Sequence, residues 1–448
     1  MKYLKAVLIS LVLFFNISFA EKLELTLADS VRIALEKNPN ILAMKKRIES
    51  AKSQEQSALS NFLPKLDLSA MKTVEEKLFT IEIPSFIPGQ PPTVARFDFT
   101  KDYQYTIRMT QTIFTGGKLI SAYNQAKLNL DLTEEIDNQT RQDLIFEVKK
   151  AYYGVLLSKE VLKVSEDALS LAEKHLDRTK KLVEAGVASR LDLLRAEVQV
   201  ANLKPQVIRA KNMVQLSEEG LKNLLGLKPE DEIVLKEGFG YKPLEIDEEK
   251  MLSLALEKRP EINQLKIQRK MTKEMLKMAW ASYIPNLAIA GDFNWRADRF
   301  SFAKGALENY YTVNFVLTLP LFDGFSREAK ISQSKAELER IDYILKGVEQ
   351  GISLDVKNAI LSLKEAEESY ESQKTNVAQA EETVRVAELN YEEGLATYLD
   401  VLSAHMALTE AKMNLAQALY NYNVALAKIE RAVSIPIEEL IKNENKNF

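Results

Sequence analysis

Cysteine is absent from the 448 residues, which removes disulfide frameworks, thiolate metal sites and an acylated cysteine at any cleavage point. Histidine is nearly so, with only His175 and His405. Neither a phosphate-binding glycine loop nor an H-E-x-x-H helix occurs, so an enzyme is not expected, nor is a cofactor or a resident metal. His405 lies one helical turn past Asp400 and reads as a packing or solvated residue rather than a base. Charge imbalance is also missing: 60 basic against 64 acidic residues gives −4, no case for nucleic acid or acidic lipid. Beyond the N-terminus no stretch approaches 18 apolar residues, which excludes a spanning helix. Barrel strands are not excluded, because their signal is only about ten residues of alternating polarity.

What is present begins at the N-terminus. Lys2 and Lys5 precede an apolar run from Ala6 to Phe15, and Ser18-Phe19-Ala20 supplies small residues at the positions a signal peptidase reads. Residues 1–20 are therefore expected to be a signal peptide, and the mature chain to be exported with a formal charge of −6, two lysines fewer.

The mature chain is written twice. "ALEKNPNI" from Ala34 returns as "ALEKRPEI" from Ala255, and "LPKLDL" from Leu63 as "IPNLAI" from Ile284, both at an offset of 221. "FTGG" from Phe114 matches "FDGF" from Phe322, and "VEAGVASRLDLLRAE" from Val183 matches "YEEGLATYLDVLSAH" from Tyr391, both at 208. The first half thus holds 221 − 208 = 13 extra residues between Pro64 and Phe114. The proline-rich "IEIPSFIPGQPP" from Ile81 is expected to be an inserted loop. The boundaries expected are a first repeat over 21–227, a linker over 228–247, a second repeat over 248–432 and a tail over 433–448, with linker and tail forming a collar outside the helices.

Each half carries a heptad seam. Val148, Val155, Leu162, Leu169, Leu176 and Val183 recur every seven residues, and a mostly small row from Ala151 to Gly186 follows three positions behind. Val356 to Tyr391 and Ala359 to Gly394 repeat both rows. A helix from about Lys118 to Ala185 would span roughly 100 Å at 1.5 Å per residue. Two shorter stretches, about Ala28 to Phe62 and Ser189 to Leu225, could stack to match it. Gly186 and Gly394 then stop the long helices, and Ser189 and Thr397 cap the next ones with Asp192 and Asp400 three residues on. The motif marks hairpin tips at 186–192 and 394–400. Plain turn chemistry would account for all these residues.

Between the helices lie alternating segments, about 65–76, 102–114, 286–297 and 310–321. In the second, Tyr103, Tyr105, Ile107, Met109 and Ile113 alternate with Gln104, Thr106, Arg108, Thr110 and Thr112, and only Gln111 spoils the apolar row. Four strands cannot close a barrel, so other copies must pair the edges. Two copies would supply eight strands and three would supply twelve; the strand pattern leaves both open.

The signal peptide, the duplicated helix-strand-strand-helix layout, the N-P and L-P pairs, the F-x-G strand exits and the G-x-x-[ST]-x-x-D turns together resemble the TolC-like outer-membrane factors of Gram-negative bacteria. The resemblance covers nearly the whole mature chain. It implies a mainly α fold with a transmembrane β-barrel part: a homotrimer whose twelve strands sit in outer-membrane lipid and continue as an α-helical, coiled-coil barrel through the periplasm. It also implies a passive channel, the exit duct of a tripartite efflux pump or type I secretion system, opened by a periplasmic adaptor and an inner-membrane transporter. Asp192, Tyr391 and Asp400 match the family's periplasmic gate, and Gly186, Ser189, Gly394 and Thr397 are the candidates for adaptor docking. Two departures stand out. Ala396 replaces the family's arginine and Ser403 its second acidic residue, so one carboxylate ring remains, and Arg190 or Arg195 is left to substitute for the missing link. Three Asp400 carboxylates at a constriction would raise one another's pKa and favour cations. The rival reading is a coiled-coil scaffold or adhesin without a pore, which would neither fractionate with the outer membrane nor carry current.

Overall fold

The computed structural model describes residues 22–73, 78–98, 103–297, 300 and 308–436. The expected signal peptide, residues 74–76 and 102 of the expected strands, and the tail from 437 lie outside the described residues. The chain divides into two compact units, one drawn from residues 1–46, 135–264 and 346–448, the other from 47–134 and 265–345.

In the first unit, β1 (Lys22–Leu25) leads into α1 (Leu27–Lys37), whose N-terminus is closed by a reciprocal Thr26–Asp29 capping box. Helix α1 ends at Asn38 because Pro39 follows: a residue before proline is pushed out of the helical region, and Asn38 sits at φ −60°, ψ 129°. The second half does the same, with α5 (Glu248–Lys258) ending at Arg259 (φ −63°, ψ 127°) before Pro260. The continuous helix expected over Ala28 to Phe62 is therefore two, α1 and α2 (Pro39–Ser60). The two breaks are anchored differently. Asn38 donates to the Leu224 carbonyl at 2.8 Å, whereas Arg259 donates to Asp355 at 3.2 Å through both terminal nitrogens.

Helices α3 (Lys118–Glu184) and α7 (Ser326–Glu392) each contain 67 residues, and their partners α4 (Arg190–Leu225) and α8 (Tyr398–Val433) each contain 36. The duplication is thus kept at the level of whole elements. Every heptad-seam residue ahead of the two glycines is buried or half-buried, and the core of the first unit gathers Ile33, Ile41, Val148, Tyr152, Val155, Leu221 and Leu225. Within the expected collar, β6 (Glu232–Leu235) pairs in parallel with β1, a contact between two four-residue strands too short for any periodicity to reveal. The linker then runs over helix faces: Phe239 stacks on Tyr153, Tyr241 lies 4.0 Å from Tyr370, and the Tyr422 hydroxyl donates to the Lys242 carbonyl. Burial and a hydrogen bond to Glu371 push the Tyr241 hydroxyl up to about 12. The described start of the tail is tied to α3, where Ser434 donates to Gln142 at 2.8 Å.

The second unit is organised by a sheet. Strands β2 (Lys65–Lys72), β5 (Tyr103–Phe114), β7 (Asn286–Ala297) and β8 (Glu308–Thr318) form an antiparallel sheet in the order β2-β5-β7-β8, so one strand pair from each half meets at the centre. Register sorts the faces. Asp67, Arg108, Asp292 and Thr312 lie in one row, with Arg108 bonded to Asp292 at 2.6 Å; in the next polar row Thr106 donates to Asn294 at 2.7 Å. On the other face Leu68, Ile107, Phe293 and Tyr311 form a row, followed by Leu66, Met109, Gly291 and Val313. The intrusive Gln111 spends its amide on the Phe62 and Thr112 carbonyls, at 3.1 and 2.8 Å. A bulge between Thr112 and Phe114 takes Ile113 out of register. The ladder of β8 stops at Thr318 rather than near 321, since Pro320 has no N–H to donate.

The expected inserted loop is corrected in part. Ile81–Ile83 completes β3 (Leu78–Ile83), which pairs with β4 (Thr93–Asp98) as a separate hairpin. Only Pro84 to Pro92 remains outside the ladder, because the prolines are confined to that span.

The apolar face of the four-stranded sheet is bare. Leu66 and Leu68 are 71 and 73 % exposed, Phe315 and Leu317 72 and 69 %. Such a contiguous surface marks a partner or membrane face. Among the described residues β2 and β8 each pair on one side only, leaving two open edges. Among the described residues no helix is long and apolar enough to cross a membrane, which says nothing of these strands.

Candidate functional site

The turns joining α3 to α4 and α7 to α8 are built alike. Gly186 adopts φ 73° and Gly394 φ 76°, the left-handed conformation that lets the next residue reach back: the Val187 N–H donates to the Leu182 carbonyl at 2.9 Å, and the Leu395 N–H to that of Asn390 at 2.7 Å. Ser189 and Thr397 then cap the following helices, each side chain accepting from the N–H of Asp192 or Asp400. Reciprocity differs. Thr397 and Asp400 complete a full capping box, with the Thr397 N–H on the Asp400 carboxylate at 2.8 Å, whereas Ser189 reaches Asp192 through its hydroxyl at 2.6 Å.

Those bonds set the Asp400 charge. Donation from the Thr397 hydroxyl and then from its N–H holds the Asp400 carboxyl below the ordinary aspartate range. Its contribution to the cap is full above that range and fades as pH falls through the lowered value. Mutual repulsion in a ring of copies would act in the opposite direction. Replacing Thr397 by valine removes the cap acceptor and is expected to lower helix stability by about 1 kcal/mol, visible as faster amide exchange over Leu399–Ser403.

Asp192 and Asp400 stand at the N-termini of different helices. Other side chains join the two hairpins. Arg178 on α3 pairs with Glu392 at the end of α7, at 3.4 Å and with both partners half-exposed. Tyr398, buried at the start of α8, has its ring 6.4 Å from that of His175 and 6.5 Å from that of Tyr391. Burial raises the Tyr398 pKa first, and the charges of Tyr391 and Asp192 raise it further. Arg195 lies 3.8 Å from Asp192 one turn along the same helix. At the turns the ion pair between the hairpins is Arg178–Glu392, which sequence reasoning did not single out; farther along, Lys149–Glu430 and Asp143–Arg431 join the same two hairpins.

It also passed over the apolar residues that crown the turns. Val187 and Leu395 are 75 and 77 % exposed, and Leu191 and Leu399 accompany them at 55 and 53 %. Their hydropathy was legible, but their exposure was not, because a seam and a surface patch read the same in one dimension.

The sequence profile of outer membrane efflux proteins matches residues 31–227 and 251–434, both repeats and nothing of the linker core between them. The chain belongs to the outer membrane efflux protein family. This member is 21% identical to the outer membrane protein TolC of Vibrio cholerae, over 94% of this chain and 93% of that protein. It is 23% identical to the alkaline protease secretion protein AprF of Pseudomonas aeruginosa, over 90% of this chain and 83% of that one. The Campylobacter jejuni CmeC outer membrane channel shares the fold at a TM-score of 0.76 and 17% identity, across 94% of this chain and 89% of that structure.

Proposed function

We propose that this chain is the outer-membrane exit duct of a tripartite efflux pump or type I secretion system. One observation carries the reading: an open four-stranded sheet with one bare apolar face, one polar face and two unpaired edges. Three copies pairing β2 to β8 close twelve strands, with the apolar row in lipid and the Arg108–Asp292 row facing water. The repeats at 21–227 and 248–432, joined by the 228–247 linker and followed by the 433–448 tail, supply each copy with two strand pairs and two helical hairpins. The duct is passive, and an inner-membrane transporter supplies the energy.

An adaptor docks at the hairpin turns. Gly186, Ser189, Gly394 and Thr397 shape the backbone there, and Val187 and Leu395 provide the apolar contact. Asp192, Tyr391 and Asp400 form the gate, with Arg178–Glu392 as the link between hairpins. Planar-bilayer recording tests this. Asp400→Ala is expected to raise conductance and remove block by divalent cations, while Thr397→Val, which loosens the cap but keeps the carboxylate, should leave the block in place. Equal effects from both variants would assign Asp400 to the turn alone, and no current from the trimer would end the duct reading.

A further inference from the structure

The only two histidines of the chain lie 230 positions apart, yet they meet. His175 on α3 and His405 on α8 have ring centroids 5.5 Å apart, and Glu388 on α7 joins them with its Oε1 2.9 Å from the His405 Nε2. One donor atom from each of the three lies within 4.8 Å of the other two. No two of these residues share a helix.

We infer that His175, Glu388 and His405 form a binding site for a borderline divalent transition metal, Zn2+ or a close analogue, that ties the first helical hairpin to the second. Two imidazoles and one carboxylate are the donor set of such ions, not of Ca2+ or Mg2+, which take oxygen ligands. Bonds of about 2.0–2.1 Å in a tetrahedral site place donor atoms roughly 3.3 Å apart, so small side-chain rotations close the present arrangement. The opposing charge nearby is Arg178, itself paired with Glu392. Access exists as well: a groove of about 640 Å³ is lined by both histidines together with Tyr398, Gln199, Asn202 and Gln206, leaving room for a water as fourth ligand. The site stands on side chains within one chain and does not depend on the duct reading.

The test uses tag-free, full-length protein, purified in detergent, stripped with chelator and titrated with Co2+. One Co2+ per protomer is expected, with visible absorption of a nitrogen and oxygen site, displaced by Zn2+ and not by Ca2+. His175→Gln and His405→Gln should each abolish the band, and Glu388→Gln should weaken binding and change the spectrum. Zinc-edge X-ray absorption on the unmodified protein gives a reading that needs no variant: two imidazoles per Zn2+ are expected. Absence of a saturable Co2+ signal, a spectrum without imidazole scattering, or unchanged stoichiometry in the double histidine variant overturns the assignment.

Discussion

Replacing Phe315 and Leu317 together by lysine is expected to abolish accumulation of the protein in the outer membrane. Both residues lie on the apolar face of β8 together with Tyr311 and Val313, and both are about seven-tenths exposed within one chain. A lysine facing lipid costs about 2–4 kcal/mol at the middle of a barrel strand and about 0–1 near its ends, so Phe315 carries more of the effect than Leu317, which lies next to the end of β8. Across three copies the two changes sum to about 6–15 kcal/mol, comparable with the whole stability of an ordinary domain, about 5–15 kcal/mol. Asn314 immediately precedes Phe315 and lies on the opposite face, opposite Ala290. Asn314→Lys should therefore be tolerated, and the pair of variants separates a lipid-facing row from a general intolerance of charge. Membrane flotation and resistance of the trimer to dissociation are the readouts. Normal accumulation of the double lysine variant would remove the sheet from the membrane.

The second large effect is expected from one methyl group. Gly226 ends α4 at φ 67°, and a Cβ there would lie 2.5 Å from the Lys37 carbonyl oxygen and 2.9 Å from its carbon. Both atoms are backbone, and they immediately precede Asn38, whose conformation is set by Pro39 and by its bond to the Leu224 carbonyl. Neither side can yield. Left-handed backbone costs an L residue about 1–2 kcal/mol and overpacking about 1–3 more, so Gly226→Ala is expected to lose about 2–5 kcal/mol and to lower the melting midpoint markedly. Gly186→Ala is the control. It has a similar φ but nothing within 4 Å of the added carbon, and so bears the backbone cost alone. Equal midpoints for the two variants would show that the approach of α4 to the α1–α2 break does not constrain the fold.

The two glycines illustrate how far one-dimensional reading reaches. Gly186 stands in a motif that recurs at Gly394, so its role as a helix stop could be read from spacing alone. Gly226 has no such echo, and its importance comes from a carbonyl 189 positions away in sequence. The same holds for charge. Asp192 and Asp400 were legible as caps because a capping box is local, whereas Arg178–Glu392 spans 214 positions and left no pattern. His405 was read as a packing or solvated residue because nothing near it in sequence suggests a ligand set; His175 and Glu388 arrive from other helices.

Local and periodic information settled most of the architecture. The duplication, the heptad seams, the alternating strands and the turn motifs all depend on interactions within about seven residues, or on repetition, and both survive projection onto a line. Tertiary structure alone decided which strands are neighbours, that the two halves meet at β5 and β7, that β1 pairs with β6, and which apolar residues stay bare. Those outcomes depend on contacts between residues far apart in the chain, where the loss of entropy on closing a loop varies only slowly with its length. Sequence separation then discriminates little between partners, and packing makes the choice.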